Sequence, residues 1–564
     1  MIELTRAQAS RAAIERMYVV MRHLFIRGHY KPGGASGHAI MQDLLILQPE
    51  IYGTLADSQK VDLNGLVYVY DRLPKGIEET RYIKLTSEEG YEKSSFEKII
   101  PHARRRNCYR IDEEQMFIEI TRGRSEIYDI LTHLTFIYIE AQKIKEHAED
   151  DKGNPVREWI QLEKIVTGEE ELSIQNEEVA YTYLATLLGQ TYAETKNAHK
   201  RFVQNSDKNN GLFHIVYWMG KLAIDEAQKG KSRVISFSPT LRERIGHHIY
   251  GDRWATRIKK VLLDHEVIQR PIHIISANLH SVMNSFYAQE ALSNEVNETD
   301  FDKLMEMVSQ PENGHLRDKI RKKAFEKGMI QISEESGTNI SVQVFDTANI
   351  QSNLLPSNLK LNKKKDKKNA PIIIVMDYAF GEQAFETMDE LLKPYFGDGL
   401  NIPMEVQSVS IMGKAGILKG EKGDIMIPNA HVFEGTADNY PVENDLTVED
   451  FKDFKDLNLN FVHGPMISVL GTSLQNKDIL KYFKESSWGA IGLEMEGAHY
   501  QKAIQGASKI RNNIRKDVKV RYAYYASDNP LITGSTLANG SLGLTGVKPT
   551  YAITLKILEK ILGA

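Results

Sequence analysis

Three acidic residues stand where an apolar run gives way to small or polar residues, the pattern of a buried strand ending at a crevice. Ile372 to Met376 leads into Gly381 and Glu382, Ala490 to Leu493 into Glu494-Met495-Glu496-Gly497-Ala498, and Val520 to Ala526 into Ser527-Asp528-Asn529-Pro530. In open α/β sheets ligands bind outside the carboxyl ends of the strands, so Glu496 and Asp528 are expected to face one crevice. Carboxyl groups placed there can move a proton or accept hydrogen bonds from paired hydroxyls.

Other chemistry-bearing residues offer less. The glycine-rich stretch Gly28 to His38 contains Lys31 but has no Walker spacing, and it reads as a turn. Glu126, Asp129 and His133 share a helical face, yet a metal would need ligands from a second helix, so a polar face or satisfied core network is expected. His247 and His248, near Asp252 and His265, fit no zinc spacing and read as solvent-facing. Cys108 is the single cysteine; beside Arg104, Arg105 and Arg106 it reads as a bystander. No metal and no cofactor is expected.

The elements that must position these residues change character along the chain. A length of 564 residues points to two or three domains. Helical spacing dominates from about 8 to 30, 112 to 149, 177 to 202 and 215 to 228, which predicts a helical N-terminal domain over 1–230, bundle-like. Residues 231–358 read as a small α/β or mixed segment, with short buried strands at Val234 to Ser238 and Ile272 to Ser276, the second followed by a helix. Residues 359–369 are a basic linker, because a run of lysines resists burial. Residues 370–564 alternate strands and helices, the mark of an α/β domain. Within them Val406 to Met412 reads as a strand ending in a turn, Gly413-Lys414-Ala415-Gly416. The segments from Ala490 to Ala526 read as strand, helix and parallel strand.

Composition narrows the partners. A net charge of -5 from 71 basic and 76 acidic residues gives no electrostatic case for nucleic acid or an anionic membrane. No apolar run reaches the roughly 20 residues of a membrane span, and Met1 to Arg6 lacks a signal-peptide core, so a cytoplasmic protein is expected.

In this order, the strand ending at Gly381-Glu382, the Gly413 to Gly416 segment followed by Gly423-Asp424-Ile425, Glu494 to Ala498, and Ser527-Asp528 resemble the nucleoside phosphorylase and nucleosidase superfamily. The resemblance covers residues 370–564 and implies a three-layer α/β/α domain; an added N-terminal domain resembles the architecture of the AMP nucleosidases. It implies cleavage of the N-glycosidic bond of a purine nucleoside or nucleotide. Asp528, oriented by Ser527, would protonate the base; Glu496 would hold the ribose hydroxyls with Met495 packed on the ribose; and Glu382 would position water. It also implies a homo-oligomer and a small-molecule partner.

Departures from the family pattern refine the expectation. The loop from Asp377 to Gln383 has no arginine to bind phosphate, which favours hydrolysis over phosphorolysis. Lys414 replaces an uncharged residue and, with Gly413 and Gly416, could hold a phosphate. No aromatic residue stands between Gly464 and Leu474 to stack on a base. The interval before Gly413 is short by a strand, which the segments near Val234 or Ile272 could supply. The alternatives are a nucleotide-binding sensor without turnover and a phosphate-dependent phosphorylase.

Overall fold

Every side chain of Ile372–Met376 is buried, as a strand covered on both faces requires, and this strand lies in a ten-stranded sheet. The computed structural model describes residues 4–563 except 105, 172–175, 206, 208, 297, 299, 352–354, 357–358, 360–368, 398, 458 and 533–542. Most of the expected linker therefore lies outside the described residues. The chain forms two compact units, Met1–His247 with Ser473–Ile479, and His248–Thr472 with Leu480–Ala564.

The first unit has nine helices among its described residues. They are α1 (Arg6–Arg27), α2 (Ala35–Leu47), α3 (Leu63–Tyr70), α4 (Gly123–Ala148), α5 (Arg157–Thr167), α6 (Glu177–Leu188), α7 (Tyr192–Gln204), α8 (Leu212–Lys229) and α9 (Pro239–Gly246). Local signals set their ends: Thr5 and Gln8 form a capping box at α1, Thr191 and Glu194 another at α7, and Gly28 closes α1 in a left-handed turn. The unit is not simply a bundle. Strands β1 (His29–Tyr30), β2 (Tyr82–Thr86), β3 (Glu97–Ile99), β4 (Cys108–Arg110), β5 (Gln115–Glu119) and β6 (Val234–Phe237) form a six-stranded mixed sheet in the order β1-β6-β2-β5-β4-β3. Strands of two to five residues carry too little alternation to stand out between long helices, and β5 occupies the start of the region read as helical from Asp112.

The second unit opens with α10 (Ile249–Asp264), β7 (Ile272–Ser276), α11 (Leu279–Leu292), α12 (Phe301–Val308), α13 (Gly314–Glu326), β8 (Ile330–Ile332) and β9 (Val342–Asp346). It continues through β10 (Ile372–Met376), α14 (Gln383–Leu391), the hairpin β11 (Tyr395–Gly397) and β12 (Leu400–Ile402), β13 (Val406–Ile417), β14 (Ile425–Phe433), β15 (Asn439–Pro441) and β16 (Phe461–Ser468). After α15 (Lys477–Glu485), a helix divided between the two units, come β17 (Gly492–Glu494), α16 (Gly497–Gln505), β18 (Lys519–Asp528) and α17 (Val547–Leu562).

The short interval before Gly413 is explained by β7. It lies between β10 and β13, parallel to both, with Ile274 opposite Ile374 on one side and Val409 on the other. The sheet order is β15-β14-β16-β17-β13-β7-β10-β9-β8, with β18 paired to β13 and β14. The α/β unit thus begins about 120 residues before the boundary read from the lysine run, and the 231–358 segment divides, with β6 in the first unit and β7 to β9 in the second. Pairing partners distant in sequence leave no local mark. Alternate residues face two cores: Ile272, Ile274, Ile372 and Ile374 pack with residues of α10, α14 and α16, whereas Ile275, Ile373 and Val375 pack with α11, α13 and α17. This is a three-layer α/β/α arrangement.

Two local expectations are corrected. Gly413 to Gly416 is no turn, because β13 runs through it to Ile417 with a bulge between Ala415 and Gly416. Nor do β17 and β18 lie side by side: both pair with β13, β17 antiparallel and β18 parallel. No helix among the described residues is long and apolar enough to cross a membrane.

Because Ile274 is fully buried in the central strand, Ile274→Ala should lower unfolding free energy by about 2–5 kcal/mol in urea titration. A chain starting at Ala370 lacks β7 and should show no cooperative transition, whereas one starting at His248 should. Cooperative folding of the shorter chain would refute the role of β7.

Candidate functional site

Gly416 is in register with Leu493 of β17 and with Asp528 of β18. The segment carrying Met495 and Glu496 and the strand carrying Asp528 therefore converge on one point of β13. At this point β18 bulges, with Ser527 the extra residue, which re-aims that strand where Asp528 emerges.

Glu496 stands at the start of α16 and Glu382 at the start of α14. The Glu496 carboxylate accepts the Gly381 N–H at 3.0 Å, which ties the loop after β10 to the Glu494-Met495-Glu496 segment. Tyr500, one turn into α16, reinforces the junction through its hydroxyl, 3.1 Å from that of Ser276 at the end of β7. Met495 is buried. His499 feels the charge of Glu382, but burial prevails and lowers its pKa to about 4, so its ring is neutral at ordinary pH. Gly497 packs against the buried His431, and a Cβ there would come within 2.3 Å of that ring.

Asp528 ends β18 nearly buried. The Ser527 hydroxyl lies 2.5 Å from its Oδ1 and 3.1 Å from the Ala415 carbonyl oxygen. Its Oδ2 is buried and has no hydrogen-bond partner among the described residues. Burial raises the Asp528 pKa, opposed by the Ser527 hydrogen bond and by the charges of Lys414 and Lys422. Lys414 is exposed on β13, two residues from Gly416, and Gly413 pairs with Tyr524 of β18.

The predicted residues thus form two groups linked by the end of β13: Glu382, Glu496 and Met495 in one, and Asp528, Ser527, Lys414, Gly413 and Gly416 in the other. Glu494 was missed as a functional group. Its carboxyl accepts the Glu496 N–H at 2.5 Å and the Gly497 N–H, and hydrogen-bonds the Ser468 hydroxyl, which accepts the Ala498 N–H at 3.0 Å. Burial, then the neighbouring Glu496 charge, raises its pKa to about 8 against the pull of those hydrogen bonds. The available signal was a charged residue continuing a run buried on both faces.

The remaining candidates are structural. Cys108 is buried, which pushes its thiol up to about 12. Asp129 lies 3.5 Å from His133 and 3.7 Å from Arg104, and Glu126 lies 3.3 Å from Arg106, in a buried network of the first unit. Glu78, Glu79 and His214 cluster with metal-like spacing, but Arg110 at 2.7 Å and Asn210 occupy their oxygens.

A model described as a family of unknown function (DUF6909) matches residues 47–304 and 305–563. The chain belongs to this family. No curated protein matches it. Among solved structures, the 5'-methylthioadenosine/S-adenosyl homocysteine nucleosidase of Campylobacter jejuni is 12% identical over 52% of this chain and 99% of its own, with a TM-score of 0.30. Futalosine hydrolase of Helicobacter pylori gives 12% identity, 52% and 98% coverage and a TM-score of 0.30. Uridine phosphorylase from Schistosoma mansoni gives 13% identity, 50% and 84% coverage and a TM-score of 0.29. In each case the match takes in 50–52% of this chain at 12–13% identity.

Between the ordinary carboxyl range and about pH 8 the folded chain holds a proton on Glu494 that the unfolded chain has lost, so stability falls as pH rises through that window. Glu494→Gln should remove this fall while keeping the neutral hydrogen-bond pattern. Melting curves of the two proteins from pH 5 to 9 test it; parallel pH profiles would contradict a neutral Glu494.

Proposed function

We propose that the second unit hydrolyses the N-glycosidic bond of a purine nucleoside or nucleotide. The observation that carries this reading is Asp528, a nearly buried carboxyl with a raised pKa, one oxygen against Ser527 and the other without a partner among the described residues. A group held in that state is suited to deliver a proton into a crevice.

In the proposed reaction the C1'–N bond breaks with its electron pair going to the base, and Asp528 protonates a ring nitrogen. Positive charge develops on the ribose. Glu496 accepts hydrogen bonds from two adjacent ribose hydroxyls and favours that charge electrostatically. Met495 packs on the sugar. Water bonds to C1' and gives its proton to Glu382, so the products are free base and free sugar. Glu494, neutral and accepting the Glu496 backbone N–H, positions the Glu496 carboxylate that holds the ribose.

Asp528→Asn should lower kcat about 10²–10⁴-fold with ligand binding retained, and Glu382→Gln should also act on kcat. The readout is mass spectrometry of free base from a mixed nucleoside and nucleotide pool. Absence of any released base, with or without added phosphate, would defeat the hydrolase reading and leave a nucleotide-binding sensor.

A further inference from the structure

A cavity of about 600 Å³ lies where β13 and β18 meet the starts of α11 and α17, a size suited to a small ligand. Lys414, Arg317 and His280 line it, and no carboxylate lines it among the described residues. Two helices begin at its wall. Asn278 caps α11 and Gly546 precedes α17; neither helix has an acidic residue in its first turn, and α17 has no side-chain cap. α11 presents its first backbone N–H groups and the positive end of its dipole, whereas α17 continues directly from a 3₁₀ turn, Gly543–Gly546.

The polar groups on the wall divide into committed and available ones. Arg317 is committed, donating to the carbonyls of Val308, Gln310 and Pro311 at 2.7, 2.6 and 3.2 Å, so it fixes its turn and supplies charge. The Tyr525 hydroxyl hydrogen-bonds Thr550 and Tyr378. Asn284, only 4% exposed, donates to the Tyr551 hydroxyl at 2.8 Å, while its Oδ1 has no partner among the described residues. The opposite amide orientation keeps the Tyr551 contact and leaves the NH₂ group, in place of Oδ1, without a partner among the described residues. Burial lowers the His280 pKa, with Asp377 opposing and Arg317 and Arg321 adding to the shift, so the ring offers a hydrogen-bond donor and not a fixed charge. Lys414, whose charge also acts on Asp528, marks where the cavity meets the catalytic crevice.

We propose that this cavity is a phosphate site, in which Lys414, His280 and the N-terminal amides of α11 hold a phosphomonoester or free phosphate. In naming the substrate as a purine 5'-nucleotide, the inference rests on the glycosidase reading above. Phosphate binding itself does not depend on that reading.

The test uses the full-length Asp528→Asn protein, titrated calorimetrically with adenosine 5'-monophosphate, adenosine and inorganic phosphate, alone and with Lys414→Met or His280→Gln added. Melting curves verify that each variant is folded. The nucleotide should bind at least tenfold tighter than the nucleoside, and either added substitution should shrink that ratio while leaving adenosine affinity in place. Equal affinity for nucleotide and nucleoside, with inorganic phosphate bound and lost in both added variants, would identify free phosphate as the occupant and support the site. Phosphate binding lost in the added variants, with neither nucleotide nor nucleoside bound, would keep the site and overturn the glycosidase reading. No phosphate binding and no nucleotide advantage, or an advantage that survives both substitutions, would overturn the proposal.

Discussion

The close approach of strands at Gly416 is the constraint on which the candidate site depends. Leu493 and Asp528 both take their register from this residue, and a Cβ on Gly492 would come within 2.6 Å of the Gly416 carbonyl oxygen. A side chain at Gly492 would push β17 away from β13, carrying Glu494, Met495 and Glu496 with it. The bulge at this point performs a second task, since β18 carries the extra residue Ser527 opposite the Ala415–Gly416 step of β13, which sets how Asp528 leaves β18. Backbone proximity, more than any side-chain contact, brings the two acidic segments together.

Glu494 turns this geometry into an electrostatic asymmetry. Two ionised carboxylates so near each other in a buried setting would repel, and the cost falls on the one that water cannot reach. Glu494 is that residue, held against Ser468 and the N–H groups of Glu496 and Gly497. By holding the proton, it sets no second charge beside Glu496. Asp528 is raised by its own burial and sits near Lys414 and Lys422, so its environment is distinct from that of Glu496. Groups of one chemical type thereby acquire different proton affinities from their surroundings, the condition for separate acid and acceptor roles.

What could be read from the sequence follows from how local each signal is. The β10 run and the acidic residues at strand ends are local patterns, and they placed Glu382, Glu496 and Asp528 at the ends of elements where the structure has them. The insertion of β7 between β10 and β13 is a pairing across about 100 residues, so the lysine run looked like the stronger boundary. Gly413 to Gly416 resembled a turn because small residues usually break strands; here they allow Tyr378 and the neighbouring backbones to come close, with a Cβ at Gly413 falling 3.2 Å from the Tyr378 ring. His431 and His499 escaped notice because a lone histidine has no pattern until packing shows what surrounds it.

The distribution of charge around the site bears on hydrolysis in a way that total charge does not. Asp377 and Glu382 occupy the loop after β10, and Glu496 is tied to that loop through Gly381, so the side assigned to ribose and water is acidic. A phosphate there would meet carboxylates with no arginine to offset them. The positive groups lie elsewhere, with Lys414 on β13 and Arg317 in the wall of the cavity beyond it. On the proposed reading, an anionic substituent is therefore drawn toward the cavity and away from the water position. On the same reading the nucleophile's place is left to a neutral molecule, and Lys414, whose charge lowers the Asp528 pKa, would couple the anion's position to that acid. A phosphate beside Lys414 would partly cancel that lysine's pull on the Asp528 pKa, so that the acid gains its proton more readily when a phosphorylated substrate is in place.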